Sequence, residues 1–179
     1  MRPAGFTIRR ATPEDAGNIA RVKIQGWREA YTGLVPDQIL DQLDLEDNTR
    51  RWREVLCADR PNTTIFVSEI VGGPVVGFID CGPLRHATEG AGGEILALYV
   101  LQSAQRRGIG RSLMGAGAES LRFFDMTQLT AWVLAENWPA RGFYEAFGGA
   151  VTAEKPVTIG RTLSEVSYFW RDTSRLAAG

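Results

Sequence analysis

The stretch Glu94–Leu121, EILALYVLQSAQRRGIGRSLMGAGAESL, decides how the rest of the chain is read. It opens on an apolar run, Ile95 to Leu101, bounded by a charge and suited to a buried strand. A polar turn, Gln102 to Gln105, leads to Arg106, Arg107 and the Gly108-Ile109-Gly110 triplet, then to an Ala-, Leu- and Met-rich segment with helical spacing. Strand, glycine-bearing turn and helix start together present free backbone N–H groups to an anion. The first amides of a helix lack a partner within it, and the aligned peptide dipoles put partial positive charge there. Glycine lets the backbone approach a phosphate closely. Gln105 to Ser112 therefore reads as a phosphate-binding turn, with Arg106, Arg107 and Arg111 adding full charges.

Several anion sites share this outline. An ATP-binding loop needs Gly-Lys-Ser/Thr, and here Gly110 is followed by Arg111 and Ser112, so that reading fails on residue type. A dinucleotide fingerprint would need glycine where Leu113 stands, with Glu136 as a loose match to its ribose-binding acid. An ordinary turn with solvated arginines stays open on these residues alone. A further reading comes from resemblance. Gln105-Arg106-Arg107-Gly108-Ile109-Gly110 resembles the Gln/Arg-x-x-Gly-x-Gly/Ala signature of the GCN5-related N-acetyltransferases (the GNAT superfamily), where it binds the pyrophosphate of acetyl-coenzyme A. A second match follows downstream: Leu134-Ala135-Glu136-Asn137, Ala140 and Phe143-Tyr144-Glu145-Ala146-Phe147-Gly148 resemble that superfamily's Asn, Ala and Phe-Tyr-Glu motif.

Composition sets the outer bounds. The chain has 179 residues, enough for one domain over 1–179 with a sizeable core, and its 44% hydrophobic and 23% charged residues suit a globular protein. A net charge of −1 gives no global pull toward nucleic acid or a membrane surface. Met1 to Gly5 lacks the apolar core of a signal peptide, and no apolar run reaches spanning length, so a cytoplasmic location is expected. Cys57 and Cys81 are too few for a disulfide framework, although a single bridge between them stays open; one histidine makes no metal cluster. No metal is expected.

Along the chain, Phe6 to Arg10 reads as a strand. Thr12-Pro13-Glu14-Asp15 gives a helix start with a capping hydroxyl and a proline in the first turn. Helices are expected up to Gly33, over Pro36–Leu43 and over Leu45–Leu56. A hairpin of Thr63–Ile70 and Val75–Cys81 follows, then a long loop, Gly82–Gly93. After the central helix come a strand over Gln128–Leu134, a helix over Trp138–Phe147, and an antiparallel pair over Ala150–Ile159 and Leu163–Trp170. The tail from Asp172 is expected to fray. Hairpins mixed with strand–helix–strand units predict an α/β (α+β) fold with a mixed, mostly antiparallel sheet and helices on both faces. The resemblance implies the acyl-CoA N-acyltransferase fold. It also implies that the strands over Ile95–Val100 and Gln128–Leu134 splay apart around the cofactor's pantetheine arm.

Acetyl transfer to an amine carries a protonation problem. An alkyl amine of pKa near 10.4 is free base about once in 2,500 molecules at pH 7, a cost of roughly 4.6 kcal/mol. Glu94, at the start of the central strand, stands where several superfamily members place a catalytic glutamate and is the candidate base; His86 and Glu89 are the alternatives. Tyr144 matches the tyrosine of the Phe-Tyr-Glu triplet and is the candidate acid for the departing thiolate. Asn137 is read as the cap of the last helix and, by resemblance, as a group holding the pantetheine arm, with Ala140 and Phe143 in the same motif. Leu98, Tyr99 and Val100 are implied to contribute backbone groups, the Val100 N–H polarising the thioester carbonyl. Trp27, Arg28, Tyr31, Asp80, Arg85, His86 and Glu89 are what the chain offers an acceptor.

The resemblance therefore implies an acetyl-CoA-dependent N-acetyltransferase acting directly on a small-molecule amine or an amino-terminal group, with homodimerisation a family habit. A non-catalytic acyl-CoA sensor and a nucleotide-binding oxidoreductase are the alternatives.

Overall fold

The computed structural model describes residues 5–85 and 92–177. Seven strands, β1 (Phe6–Arg10), β2 (Thr64–Ile70), β3 (Val75–Pro83), β4 (Gly92–Val100), β5 (Gln128–Leu134), β6 (Ala150–Ile159) and β7 (Arg161–Trp170), form one sheet in the order β1-β2-β3-β4-β5-β7-β6. Among these strands only the β4–β5 pairing is parallel. The helices are α1 (Ala16–Tyr31), α2 (Asp37–Asp41), α3 (Leu45–Cys57), α4 (Ile109–Phe123), α5 (Trp138–Ala146) and α6 (Ser174–Ala177). The mixed, mostly antiparallel sheet expected from the sequence is thus observed, with helices on both faces.

Each face is closed by small residues that let helix and sheet approach. On one face α4 lies over β3, where a Cβ on Gly117 would stand 2.9 Å from Ile79 Cδ1 and 3.3 Å from Cys81 Sγ. Leu113, Met114 and Leu121 of α4 are fully buried, each contributing about 1.5–3 kcal/mol by removal from water. α5 lies on the same face, its Tyr144 ring 5.5 Å from that of Tyr168 and 5.6 Å from that of Trp170. α1 and α3 cover the other face, where Trp52 meets Phe78 edge-on at 5.1 Å. A Cβ on Gly26 of α1 would be 2.8 Å from Tyr99 Cδ1.

Two irregularities in β4 position the site. A bulge lies opposite Asp80 and Cys81: Cys81 pairs with Ile95 and Asp80 with Ala97, leaving Leu96 as an extra residue. Without it, strand alternation would send Glu94 and Tyr99 to opposite faces. With it, Glu94, Ala97 and Tyr99 share the α1 face with Phe78 and Asp80. The second irregularity is that β4 and β5 pair only from Gly92–Gln128 to Ile95–Ala131, although β4 runs on to Val100 and β5 to Leu134. Over that length β5 stays with β7, pairing as far as Leu134–Glu165. The two strands part, as the resemblance implied.

The tail departs from expectation. Instead of fraying it forms α6, whose Leu176 is buried and whose Leu176 carbonyl lies 3.1 Å from where a Gly115 Cβ would stand on α4. An apolar residue four positions beyond Asp172 gives that segment something to bury. Cys57 and Cys81 are both free, and burial pushes the Cys81 thiol up to about 12.

The start of α1 is tied to β1 by charge. Arg9 donates to both Asp15 oxygens at 2.7 and 2.9 Å and to Glu69 at 3.0 Å, and the Thr12 N–H donates to Asp15 Oδ2 at 2.9 Å. Asp15 is buried, and the Arg9 guanidinium holds its carboxyl below the usual range. A depressed carboxyl stabilises above its unfolded value of about 3.9 and loses that contribution as pH falls through the lower folded value. Asp15→Ala is therefore expected to cost about 1–3 kcal/mol at pH 7, read by urea unfolding, and to flatten the loss of stability below pH ~4.

Candidate functional site

The turn between β4 and α4 has the geometry an anion needs. Arg106 and Gly108 both take left-handed backbone angles, with φ of 59° and 85°, and Gly108 is the N-cap residue of α4. The first intrahelical bond runs from the Ser112 N–H to the Gly108 carbonyl at 3.0 Å, so the amides of Ile109, Gly110 and Arg111 have no acceptor within the helix. Gly110 has a second duty: a Cβ there would stand 3.1 Å from Phe143 Cε2, so the glycine also lets α5 close against the first turn of α4. Arg111 is drawn the same way, its guanidinium 5.6 Å from the Phe147 ring centre.

Beside this turn lies the open edge of β4. The Leu101 N–H bonds the Val76 carbonyl at 2.9 Å, toward β3. By alternation the N–H and carbonyl groups of Leu98 and Val100 face the opposite edge, where β5 has left. There the Val100 carbonyl accepts from Gln105 Nε2 at 2.9 Å, which ties the anion turn to the strand it follows. Gln105 thus has a structural task that its place in the motif did not reveal.

Glu94 pairs with Thr130, one residue before the two strands part, its side chain 2% exposed. Its carboxylate accepts three hydrogen bonds, all from Arg85. Oε1 accepts from Arg85 Nε at 3.1 Å and Nη2 at 2.5 Å, and Oε2 accepts from the Arg85 backbone N–H at 3.1 Å. Asp80, on the same face, is held by Arg60 Nη2 at 3.2 and 3.3 Å; burial pushes its carboxyl up against the opposing pull of Arg60. Asp80 is therefore an already paired group, rather than a free anion awaiting a cationic acceptor. Glu165 adds its field to Arg85 and Tyr31 from β7.

On the α5 side the aromatic hydroxyls converge. Trp27 Nε1 donates to Tyr99 Oη at 2.9 Å, and Trp27 meets Tyr31 edge-on at 5.1 Å. The Tyr31 hydroxyl interacts with Tyr99 and with Asn137, while burial raises its pKa. Asn137 caps α5 by accepting the Ala140 N–H at 3.3 Å, as expected. Tyr144 is 7% exposed, and burial followed by the Tyr31 charge raises its pKa. Among the described residues its hydroxyl has no hydrogen-bond partner. Tyr99 was expected to matter only through its backbone; its side chain instead links α1 to the sheet.

The structure thus links Trp27, Tyr31, Tyr99, Asn137 and Tyr144 through ring and hydroxyl interactions and puts Glu94 and Asp80 on the sheet face that carries Tyr99, with Leu98 and Val100 on the open edge of β4. His86 and Glu89 lie outside the described residues. Sequence reading missed the Arg60–Asp80 pair and Glu165, because partners that close across a sheet leave no local spacing to detect. Arg28 is not drawn into the cluster by any described contact.

Known proteins match this chain in family and fold. The acetyltransferase (GNAT) family model matches residues 25–149. YuaI of Bacillus subtilis, an uncharacterized N-acetyltransferase, is 35% identical over 171 residues, 95% of this chain and 95% of its own. The crystal structure of ribosomal-protein-alanine N-acetyltransferase from Brucella melitensis superposes with a TM-score of 0.71 at 25% identity, over 92% of this chain and 98% of that one. PaiA N-acetyltransferase from Thermoplasma acidophilum, solved in complex with coenzyme A, superposes with a TM-score of 0.69 at 17% identity, over 93% and 99%. The chain belongs to the GNAT acetyltransferase family.

Two substitutions separate structural from chemical roles here. Tyr144→Phe is expected to leave unfolding stability within about 0.5 kcal/mol of the parent, since the hydroxyl bonds nothing among the described residues. Asn137→Ala is expected to cost about 1 kcal/mol through the lost cap, both read by calorimetry.

Proposed function

We propose that the protein transfers the acetyl group of acetyl-CoA to a primary amine, by direct attack of the amine on the thioester. The single observation that carries this reading is the unpaired edge of β4 running from the anion-binding turn back to Ile95, next to Glu94. An extended ligand could bind it as an added strand, its phosphates at one end and its acyl group at the other. The CoA complex of a structural relative supports the choice of ligand.

Each residue then has a task. The free amides at Ile109 to Arg111 and the guanidinium of Arg106 take the diphosphate, and Gly108 permits the turn that aims them. The Val100 N–H, on the open edge, is available to a carbonyl oxygen on which negative charge develops. Acetyl-CoA supplies an activated acyl group and a thiolate that can leave. Glu94 takes the ammonium proton, directly or through water, and offsets the roughly 4.6 kcal/mol cost of the free amine. Tyr144 gives its proton to the departing sulfur and recovers it from solvent; its raised pKa keeps the phenol protonated at neutral pH. Cys81 is buried with a raised pKa and Cys57 lies outside the site, which favours direct transfer over an acyl-enzyme.

An amine panel incubated with acetyl-CoA, with thiol release as the signal, tests the reaction. With an accepted amine, Glu94→Gln is expected to lower kcat by about 10²–10⁴, and Tyr144→Phe by tenfold or more. If neither changes the rate by about tenfold, equivalent to 1.4 kcal/mol of barrier, both assignments fail. Gly108→Val puts a β-branched residue at φ 85° and is expected to weaken coenzyme A binding at least about tenfold by calorimetric titration.

A further inference from the structure

The polar side chains that span the wedge leave one proton unassigned. Tyr31 reaches from α1 to Tyr99 of β4 on one side and to Asn137, just beyond β5, on the other. Its ring packs with Leu134, the last residue of β5, so its hydroxyl bridges the two strands where they have parted. Each group around it has a direction. Trp27 Nε1 can only donate, and it fills an acceptor position on Tyr99 Oη at 2.9 Å. The Tyr99 proton then goes to Tyr31. Asn137 uses its Oδ1 on the Ala140 N–H at 3.3 Å, which fixes the amide orientation and leaves Nδ2 for Tyr31. Both hydrogen bonds are donated to Tyr31 Oη, so both of its lone pairs are taken. Its own O–H is still to be given, and no described residue accepts it.

Tyr144 supplies the other half. It comes from α5, on the opposite face of the sheet from α1, and its hydroxyl also lacks a partner among the described residues. The two phenols are near enough for the charge of one to act on the other, yet no described hydrogen bond joins them. Two O–H groups without acceptors, approaching one gap from opposite faces, suit a single acceptor atom held between them. A thioester carbonyl in the wedge has the Val100 N–H at the strand edge, which leaves the sulfur for the phenols. Sulfur is a weak acceptor in a thioester and a strong one as a thiolate. Donors placed here therefore act as the C–S bond breaks rather than before it.

Resting on the acetyltransferase reading above, we infer that Tyr31 is a second hydrogen-bond donor to the leaving sulfur, opposite Tyr144. The amine nitrogen bonds to the acyl carbon, the C–S bond breaks, and its electron pair stays on sulfur. Tyr144 transfers a proton to that sulfur, while Tyr31 keeps its proton and donates a hydrogen bond. Tyr99 and Asn137 are positioning residues: by filling the Tyr31 oxygen they leave its O–H no other direction. Tyr31 thus serves the acyl donor, although sequence reading offered it to the acceptor.

The test is a calorimetric titration with coenzyme A and with its analogue in which hydrogen replaces the thiol, at about pH 9, above the usual thiol value of about 8.5. The wild-type protein is expected to bind coenzyme A at least about tenfold more tightly than the analogue. Tyr31→Phe keeps the ring against Trp27. It is expected to reduce that ratio at least about threefold, with affinity for the analogue within about twofold of the parent. Combined with Tyr144→Phe it is expected to bring the ratio within about twofold of one. A merely structural Tyr31 would weaken both ligands alike and leave the ratio unchanged, which overturns the inference. So does a wild-type ratio near one, the result if a water lies between the phenols; that comparison stands even if Tyr31→Phe fails to fold. If neither compound binds, the acetyltransferase reading itself falls, and this inference with it.

Discussion

The structure depends on the competition for β5. One edge of that strand pairs with β7 along most of its length, while the other holds β4 for only four residue pairs, Gly92–Gln128 to Ile95–Ala131. Strand twist rotates neighbours progressively, and a strand bound firmly on one side yields on the other. The result is a wedge in the middle of a sheet that is otherwise continuous. An exposed strand edge would normally be a liability, since its N–H and carbonyl groups invite pairing. Here α1 and α4 pack against β4 beside the wedge.

Buried charge around the wedge is arranged by loops and strand ends. Glu94 and Asp80 are carboxylates taken out of water, each matched by an arginine approaching from a less buried position, Arg85 and Arg60. A buried carboxylate without such a partner would be strongly destabilising, so these pairs keep the site folded. The pairs differ in geometry. Arg85 grips one oxygen of Glu94 with its fork and the other with its backbone, whereas Arg60 reaches Asp80 with a single nitrogen at 3.2 and 3.3 Å.

The aromatic cluster couples elements that are far apart in the chain. Trp27 and Tyr31 on α1, Tyr99 on β4 and Asn137 at the start of α5 interact through their polar atoms, while the rings pack. Burial of Tyr99 and Tyr144 raises both phenols, which keeps the cluster neutral near the charged pairs. Trp27 and Tyr31 also pack against the smaller apolar cluster of Val35, Leu40, Leu134 and Leu163. They are therefore core on one side and site wall on the other.

Residues Gln105 to Gly110 and Asn137 to Phe147 were legible because their tasks are local. A left-handed turn needs glycine at Gly108, a helix start needs a cap at Asn137, and neither depends on what lies across the sheet. Alternation and helical spacing likewise determined most of the elements from the sequence alone, together with the mixed character of the sheet. Tertiary structure decided the rest: the bulge at Leu96 that turns Glu94 and Tyr99 to one face, the strand pairing that ends at Ile95, and the choice of Arg85 as the partner of Glu94. Register and charge pairing are settled between segments, by which edges and which side chains meet, and a one-residue shift in pairing would reverse them while leaving every local signal in the sequence unchanged.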